Sequence, residues 1–241
     1  MSNLIYSNKY LIESTHVDTN KKLSIPSFYL FIQDLSIEHA ELIGIGSNSN
    51  LAKNNKLWVF ASTKFEFYDM PNYLEEIKLA TYPGERKAFI FNRYYEMRDK
   101  EDKILARGSS SWAIIDSISR RLELRPDVVD IPSHHEKDEL SLPERIVNND
   151  ELTLCYEKDI MYCDCDLNSH LNNTRYIELI VNINHLDFYK ENRIKTILVN
   201  YLKEIKDGEH IKIFTNKDKT FIRGICNDVI CFEAELTYTH R

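Results

Sequence analysis

Asp164-Cys165-Asp166-Leu167-Asn168-Ser169-His170-Leu171-Asn172-Asn173-Thr174-Arg175-Tyr176 is the stretch on which the reading of this chain turns. A carboxylate, a carboxamide and an imidazole alternate at Asp166, Asn168 and His170. On an extended backbone, a period of two sends all three side chains to one side. Asn172-Asn173-Thr174 has the composition of a capped helix start, and the apolar run Tyr176-Ile177-Glu178-Leu179-Ile180-Val181 follows it. A polar triplet aimed one way beside a helix N-terminus suits chemistry. The same residues also suit an ordinary Asx-rich turn and cap.

Metal readings of the stretch fail on its residues. Asp164, Asp166 and Asn168 imitate positions one, three and five of a calcium loop. Ser169 then stands where such a loop needs glycine, and Arg175 where it needs glutamate. Cys163, Cys165 and His170 lack the second Cys/His pair of a zinc finger, and His134-His135 reads as a solvated linker pair. Gly108-Ser109-Ser110-Ser111 lies inside a strand pattern and is neither a phosphate loop nor a nucleophile elbow. No metal and no cofactor is expected.

With 241 residues the chain has room for one large domain or two halves of about 120, within roughly 100–200 residues per domain. A net charge of −7 argues against a nucleic-acid partner, whose affinity would rest on a basic surface. Met1-Ser2-Asn3-Leu4-Ile5-Tyr6 turns polar at once, and no apolar run approaches the ~18 residues of a membrane helix, so no membrane span is expected. Five cysteines, an odd number in a chain this long, do not form a disulfide framework, and the expected location is cytoplasmic.

Taken in order, residues 4–18 read as a strand, and Ser24-Ile25-Pro26 opens a helix with Ser24 as cap. Phe28, Phe31, Ile32, Leu35, Leu42 and Ile43 give that helix an apolar face, and Gly44 and Gly46 stop it. Strands are expected at 58–67, 76–82, 88–95 and 104–115. Pro126, Pro132 and Pro143, with His134 to Asp138, mark 126–150 as a linker. The pattern then restarts: a strand over Asp159–Cys163, a helix from about Thr174 to Tyr189, and strands at 196–205, 209–216, 220–227 and 229–239. At an offset of 148, Asp166 falls on Asp18, Asn168 on Asn20, Leu171 on Leu23, Tyr176 on Phe28 and His170 on Lys22. Further on, Glu204-Ile205-Lys206-Asp207 matches Glu66-Phe67-Tyr68-Asp69 at an offset of 138. Two copies of one α+β unit are expected, each a helix wrapped by an antiparallel meander, the first without the imidazole.

From about Tyr6 to Thr239 the chain resembles the acyl-[acyl-carrier-protein] thioesterases of the plant and bacterial type. The residues that carry this are Asp166-Leu167-Asn168-Ser169-His170-Leu171-Asn172-Asn173-Thr174-Arg175-Tyr176-Ile177, which match the family's D-x-N-x-H-h-N-N-x-x-Y-I box, h being apolar. Tyr201-Leu202-Lys203-Glu204 matches the family's tyrosine, two intervening positions and glutamate, at a spacing of 34 residues from His170 to Glu204. The resemblance implies two tandem hotdog domains: residues 1–125 with the acyl-chain pocket and no catalytic imidazole, a linker over 126–150, and a catalytic domain over 151–241. It implies hydrolysis of fatty acyl-carrier-protein thioesters, which releases free fatty acid and ends chain elongation. The implied catalytic set is Asp166, Asn168, His170 and Glu204.

Within that picture Asn168 contacts the thioester carbonyl or the water, His170 and Glu204 are alternative general bases, and Asp166 orients the network. Backbone N–H groups near Asn172-Asn173 are offered as further oxyanion donors. Where plant members often carry cysteine after the glutamate, this chain has Ile205, so a papain-like route is closed there. The aromatic residues of the first half, among them Phe28, Tyr29, Phe31, Phe65 and Trp112, suit an acyl tunnel, although for any one of them ordinary core is the commoner role. An acidic carrier protein is the implied partner, with Arg120, Arg121 and Arg125, or Lys190, Arg193 and Lys195, as basic clusters for it. The competing readings are an acyl-CoA thioesterase, a hotdog hydratase and a non-catalytic acyl-chain binding protein. Oligomeric state stays open, a homodimer included.

Overall fold

Helix α1 spans Ile25–Leu42 and starts as its sequence predicts: Ser24 is extended, its Oγ accepts the Ser27 N–H at 3.2 Å, and Pro26 sits in the first turn where no donor is needed. The computed structural model describes residues 4–46, 49, 53–125, 129–131, 133–134 and 140–241. Pro126, Pro132 and the stretch from His135 to Asp138, all read as linker, lie outside them. The chain divides into two compact units, Met1–Pro143 and Glu144–Arg241.

In the first unit β1 (Tyr6–Leu11), β2 (Lys56–Phe67), β3 (Glu76–Pro83), β4 (Phe91–Arg98) and β5 (Ile104–Asp116) follow the order β1-β3-β4-β5-β2, every neighbouring pair antiparallel. Phe28, Phe31, Ile32 and Leu35 are buried at helical spacing, and each is worth about 1.5–3 kcal/mol on burial. The Phe28 ring meets Phe65 and Phe67 edge-on at 5.1 and 5.2 Å, and Phe65 also meets Tyr29 and Tyr95. These aromatics pack on one another as core. Leu42, expected on the apolar face, is exposed, because the helix ends there and Gly44 turns the chain away at φ +77°. The middle of the segment read as linker returns to this unit: the His134 N–H donates to Pro83 C=O, its ring packs edge-on against Tyr82, and Ser141 accepts from Lys64 Nζ.

In the second unit β6 (Thr153–Asp159), β7 (Asn192–Tyr201), β8 (His210–Thr215), β9 (Phe221–Cys226) and β10 (Val229–His240) take the order β7-β10-β9-β8-β6. The strand expected over Asp159–Cys163 ends instead near Ile160, and Tyr162–Asp164 form a single 3₁₀ turn. Asp164 makes that turn: its Oδ2 accepts the Met161 N–H at 3.0 Å and its Oδ1 holds Lys158 Nζ at 2.6 Å. The helix expected from 174 to 189 divides into α2 (Asn173–Val181) and α3 (Leu186–Glu191). Tyr156 Oη donates to Leu179 C=O, Tyr189 Oη to Val181 C=O and Lys219 Nζ to Ile183 C=O, so side chains capture the carbonyls that a continuing helix would need.

Backbone hydrogen bonds show the two units to be copies of one design. Ile12 N–H donates to Glu75 C=O and Leu74 N–H to Ile12 C=O in the first; Ile160 N–H to Glu209 C=O and Gly208 N–H to Ile160 C=O in the second. The same comparison corrects the downstream match. Tyr68 and Asp69 N–H both donate to Leu105 C=O, as Leu202 and Lys203 N–H both donate to Cys231 C=O. The offset there is therefore 134, not 138, and Glu204 corresponds to Met70 rather than to Glu66.

Gly108 on β5 lies opposite Phe65 on β2, and a Cβ built on it would fall 1.9 Å from the Phe65 ring. Gly108→Ala should cost about 2 kcal/mol by forcing that ring out of its rotamer. The measurement is the urea midpoint at unchanged m; a midpoint equal to wild type would show that Phe65 yields freely.

Candidate active site

The quoted stretch is not extended. Ser169 sits at φ +61° and Asp166 opens a tight turn: its Oδ1 accepts the Asn168 N–H at 2.8 Å, its C=O accepts the Ser169 N–H, and its own N–H donates to His170 C=O at 2.9 Å. Alternate residues therefore do not share a side by pleating, as the period-two argument expected. What aims His170 is the closure of this turn and its docking onto the segment after β7. Leu171 N–H donates to Ile205 C=O at 2.7 Å, Asn172 N–H donates to Asp164 C=O, and His170 bridges Lys206.

That segment is itself held. Leu202 and Lys203 N–H both take Cys231 C=O, at 2.9 and 3.0 Å, which kinks the chain immediately before Glu204. Ile205 is fully buried beyond it. Tyr176, on α2, packs edge-on against Tyr201 and Phe232, its hydroxyl 3.4 Å from Lys203 C=O. Burial pushes the Tyr176 phenol well up.

The result is one close encounter: His170 Nε2 lies 3.6 Å from Glu204 Oε2. This is an ion-pair separation, longer than a hydrogen bond, with the imidazole 18% and the carboxylate 40% exposed. Asn168 stands exposed at the tip of the turn, and its carboxamide makes no hydrogen bond among the described residues. Asp166 reaches neither His170 nor Glu204 with its carboxylate, which is committed to the turn. The N–H groups suggested as oxyanion donors near the helix start are largely taken: Asn172 by Asp164 C=O, Thr174 by the Asn172 Oδ1 cap at 2.9 Å, and Arg175 by Asn172 C=O.

Lys158 and Asp164 were not singled out from sequence as site residues, yet their ion pair fixes the entry to the turn. Burial would raise the Asp164 carboxyl, but Lys158 and the Met161 N–H outweigh it and hold the group below the ordinary carboxylate range. Nothing in the spacing of 158 and 164 signals this, since the two meet only after the 3₁₀ turn forms. Burial raises the thiols of Cys165 and Cys226, and that of Cys231 to about 11, so none of the three is a ready thiolate. Among the described residues, no cluster of three or more metal-ligating side chains occurs.

The first unit keeps the turn without the chemistry. Asp18 Oδ1 accepts the Asn20 and Lys22 N–H groups, Lys21 takes φ +59°, and Leu23 N–H donates to Pro71 C=O at 2.9 Å. Lys22, in the place of His170, donates to Met70 C=O at 2.8 Å, in the place of Glu204. The imidazole is thus absent from the first copy, and the place of Glu204 carries no carboxylate, although Asp69 Oδ1 lies 3.8 Å from Lys22 Nζ.

Two copies of a helix wrapped by an antiparallel sheet, the second carrying a His–Glu pair, define a tandem hotdog protein. Family profiles carry this further: the acyl-ACP thioesterase N-terminal domain matches residues 3–131 and the C-terminal domain residues 148–237. The chain belongs to the acyl-ACP thioesterase family. It is 22% identical over 215 residues to the chloroplastic palmitoyl-acyl carrier protein thioesterase of Arabidopsis thaliana, covering 83% of this chain and 52% of that protein. It is 21% identical over 240 residues to a chloroplastic oleoyl-acyl carrier protein thioesterase of the same plant, covering 88% and 63%. The chain thus spans between half and two-thirds of the length of these curated relatives. The fold matches an acyl-ACP thioesterase from Bacteroides thetaiotaomicron with a TM-score of 0.85, at 24% identity and 98% coverage of both chains. It matches the 12:0-ACP thioesterase from Umbellularia californica with a TM-score of 0.84, at 18% identity, covering 100% of this chain and 99% of that one.

Because the Asp166 carboxylate serves the turn, Asp166→Asn, which keeps an oxygen acceptor, should leave thermal stability close to wild type. Asp166→Ala should lose about 1 kcal/mol, as a lost cap does. Equal melting temperatures for the two variants would contradict a turn-building role.

Proposed function

We propose that the protein hydrolyses fatty acyl thioesters carried on acyl carrier protein, releasing free fatty acid and ending chain elongation. The observation that carries this reading is the 3.6 Å approach of His170 Nε2 to Glu204 Oε2 beside an uncommitted Asn168 carboxamide. Thioester hydrolysis needs a base for water and a donor for the developing oxyanion. His170 and Glu204 together hold and deprotonate the water, which adds to the thioester carbonyl. The Asn168 carboxamide N–H faces the oxyanion, and collapse of the tetrahedral intermediate expels the carrier's thiolate, which takes up the proton. Asp166 acts as a positioning residue through the turn. Ile205, where plant members often carry cysteine, and the poorly ionised thiols of Cys165, Cys226 and Cys231 both favour water over a cysteine nucleophile.

The first unit, whose turn carries Lys22, holds the acyl chain, and the second performs the chemistry. The partner is an acidic carrier protein. Of the basic clusters suggested for docking, Arg125 is bound by Glu123, Lys190 by Asp187, and Arg120 and Arg193 have interactions of their own, which leaves Arg121 and Lys195 as the better contacts. No helix among the described residues is long and apolar enough to cross a membrane, and five free thiols favour a reducing cytoplasmic setting.

Thiol release from acyl carrier proteins loaded with fatty acyl groups tests the reading. His170→Ala and Glu204→Ala are each expected to lower kcat/KM by at least about 100-fold, the usual contribution of a positioned acid–base group. Wild-type rates in both variants would refute the site. Faster turnover of the matching acyl-CoA esters would move the activity to the other carrier.

A further inference from the structure

The interior of the first unit is more polar than its fold requires. Between α1 and the sheet, Tyr29 Oη lies 3.1 Å from Thr63 Oγ1. Ser36 Oγ lies 2.8 Å from Tyr95 Oη, which lies 3.1 Å from Ser110 Oγ, and Trp112 Nε1 donates to that same Ser110 oxygen. At the far end of the seam Arg93 Nη1 donates to His39 Nδ1 at 2.8 Å and to Thr81 Oγ1 at 3.1 Å. All of these except Trp112 are buried.

The second unit shows what the same architecture does without a seam. The strand registers place Ile197 at the position of Thr63, Ile222 at that of Tyr95 and Leu236 at that of Ser110, and the helix register places Ile177 at that of Tyr29. All four are buried aliphatics. At these four positions one chain closes the same helix-on-sheet contact in two ways, so the polar version there is not a demand of the fold. Thr81 differs, since its counterpart Thr215 is also buried and donates to Phe221 C=O as Thr81 does to Tyr94 C=O.

Arg93 is the most costly member. Its side chain is buried, yet among the described residues no carboxylate lies within ion-pair distance of it. Removing a guanidinium from water without a counter-charge is strongly unfavourable. A guanidinium only donates, so the hydrogen bond fixes His39 as the acceptor at Nδ1 and hence as a neutral ring. The group has five donors, and the two contacts to His39 and Thr81 share one nitrogen.

We propose that Arg93, with His39 and Thr81, forms a subsite in the first unit for a hydrogen-bond-accepting oxygen, a hydroxyl or a carboxylate, carried on the distal part of the acyl chain. The inference rests on the reading that the protein hydrolyses acyl thioesters and seats the chain in this unit; it narrows the substrate class to oxygen-bearing acyl groups. The acceptor completes the hydrogen bonding of Arg93, and a carboxylate also neutralises it. A plain alkyl end would bring the guanidinium neither an acceptor nor a counter-charge, which is the kind of mismatch that discriminates strongly.

Wild-type protein is assayed for thiol release from acyl carrier proteins loaded with unsubstituted, terminally hydroxylated and terminally carboxylated chains, matched in length across a series. At the best length, one oxygen-bearing class should exceed the alkyl chain in kcat/KM by at least about tenfold, and Arg93→Met should bring that ratio close to one. Alkyl chains preferred at every length by the wild type, or an unchanged ratio in a folded Arg93→Met protein, would overturn the subsite. If Arg93→Met does not fold, Thr81→Val reads the same ratio, and the wild-type series decides without any variant. Turnover of alkyl chains without an oxygen preference sinks the subsite alone; no turnover of any thioester sinks the hydrolysis reading and the subsite with it.

Discussion

A single backbone contact, Leu171 N–H to Ile205 C=O at 2.7 Å, ties the turn that carries His170 to the kinked segment that carries Glu204. The two side chains come from places 34 residues apart, and neither could find the other by its own flexibility at useful cost. The turn is rigid because Asp166 and the left-handed Ser169 close it, and the kink is rigid because one carbonyl, Cys231 C=O, takes two N–H groups. Docking one rigid piece on another sets the His–Glu distance without loading strain on the side chains themselves.

The first unit makes the same contact, from Leu23 N–H to Pro71 C=O, and gains no reactive pair from it. The docked turn is therefore a feature of the architecture, and the chemistry is what was placed on it in one copy. The reverse holds for the interior: the copy without the pair carries the buried polar seam, and the copy with the pair is closed by aliphatic side chains.

Much of the fold was legible because its signals are local. Ser24 with Pro26, and Asn172 with Thr174, are capping patterns that act within a few residues, and the strands after each helix follow short apolar runs. The nearness of His170 to Glu204 came from family spacing, not from periodicity. Asp166 and Asn168 show why: alternation suggested a shared side, whereas a positive φ at Ser169, which no side-chain pattern reveals, folds the stretch into a turn. The break after Val181 depended on Tyr156, Tyr189 and Lys219 reaching carbonyls from other elements. The register of the repeat went wrong by four residues because Glu66 and Glu204 resemble each other in sequence while the hydrogen bonds pair Glu204 with Met70. The Arg93 seam was invisible for the same reason, being assembled from one helix and four strands.

If His170 and Glu204 act as one unit on one water, removing both should cost little more than removing either. A double-mutant cycle on kcat/KM for an acyl carrier protein thioester, with His170→Ala, Glu204→Ala and the combined variant, measures this directly. The account predicts that the double variant is no slower than about threefold below the worse single one. Losses that multiply across the cycle would mean that the two residues work independently, and that their 3.6 Å approach is not the centre of the chemistry.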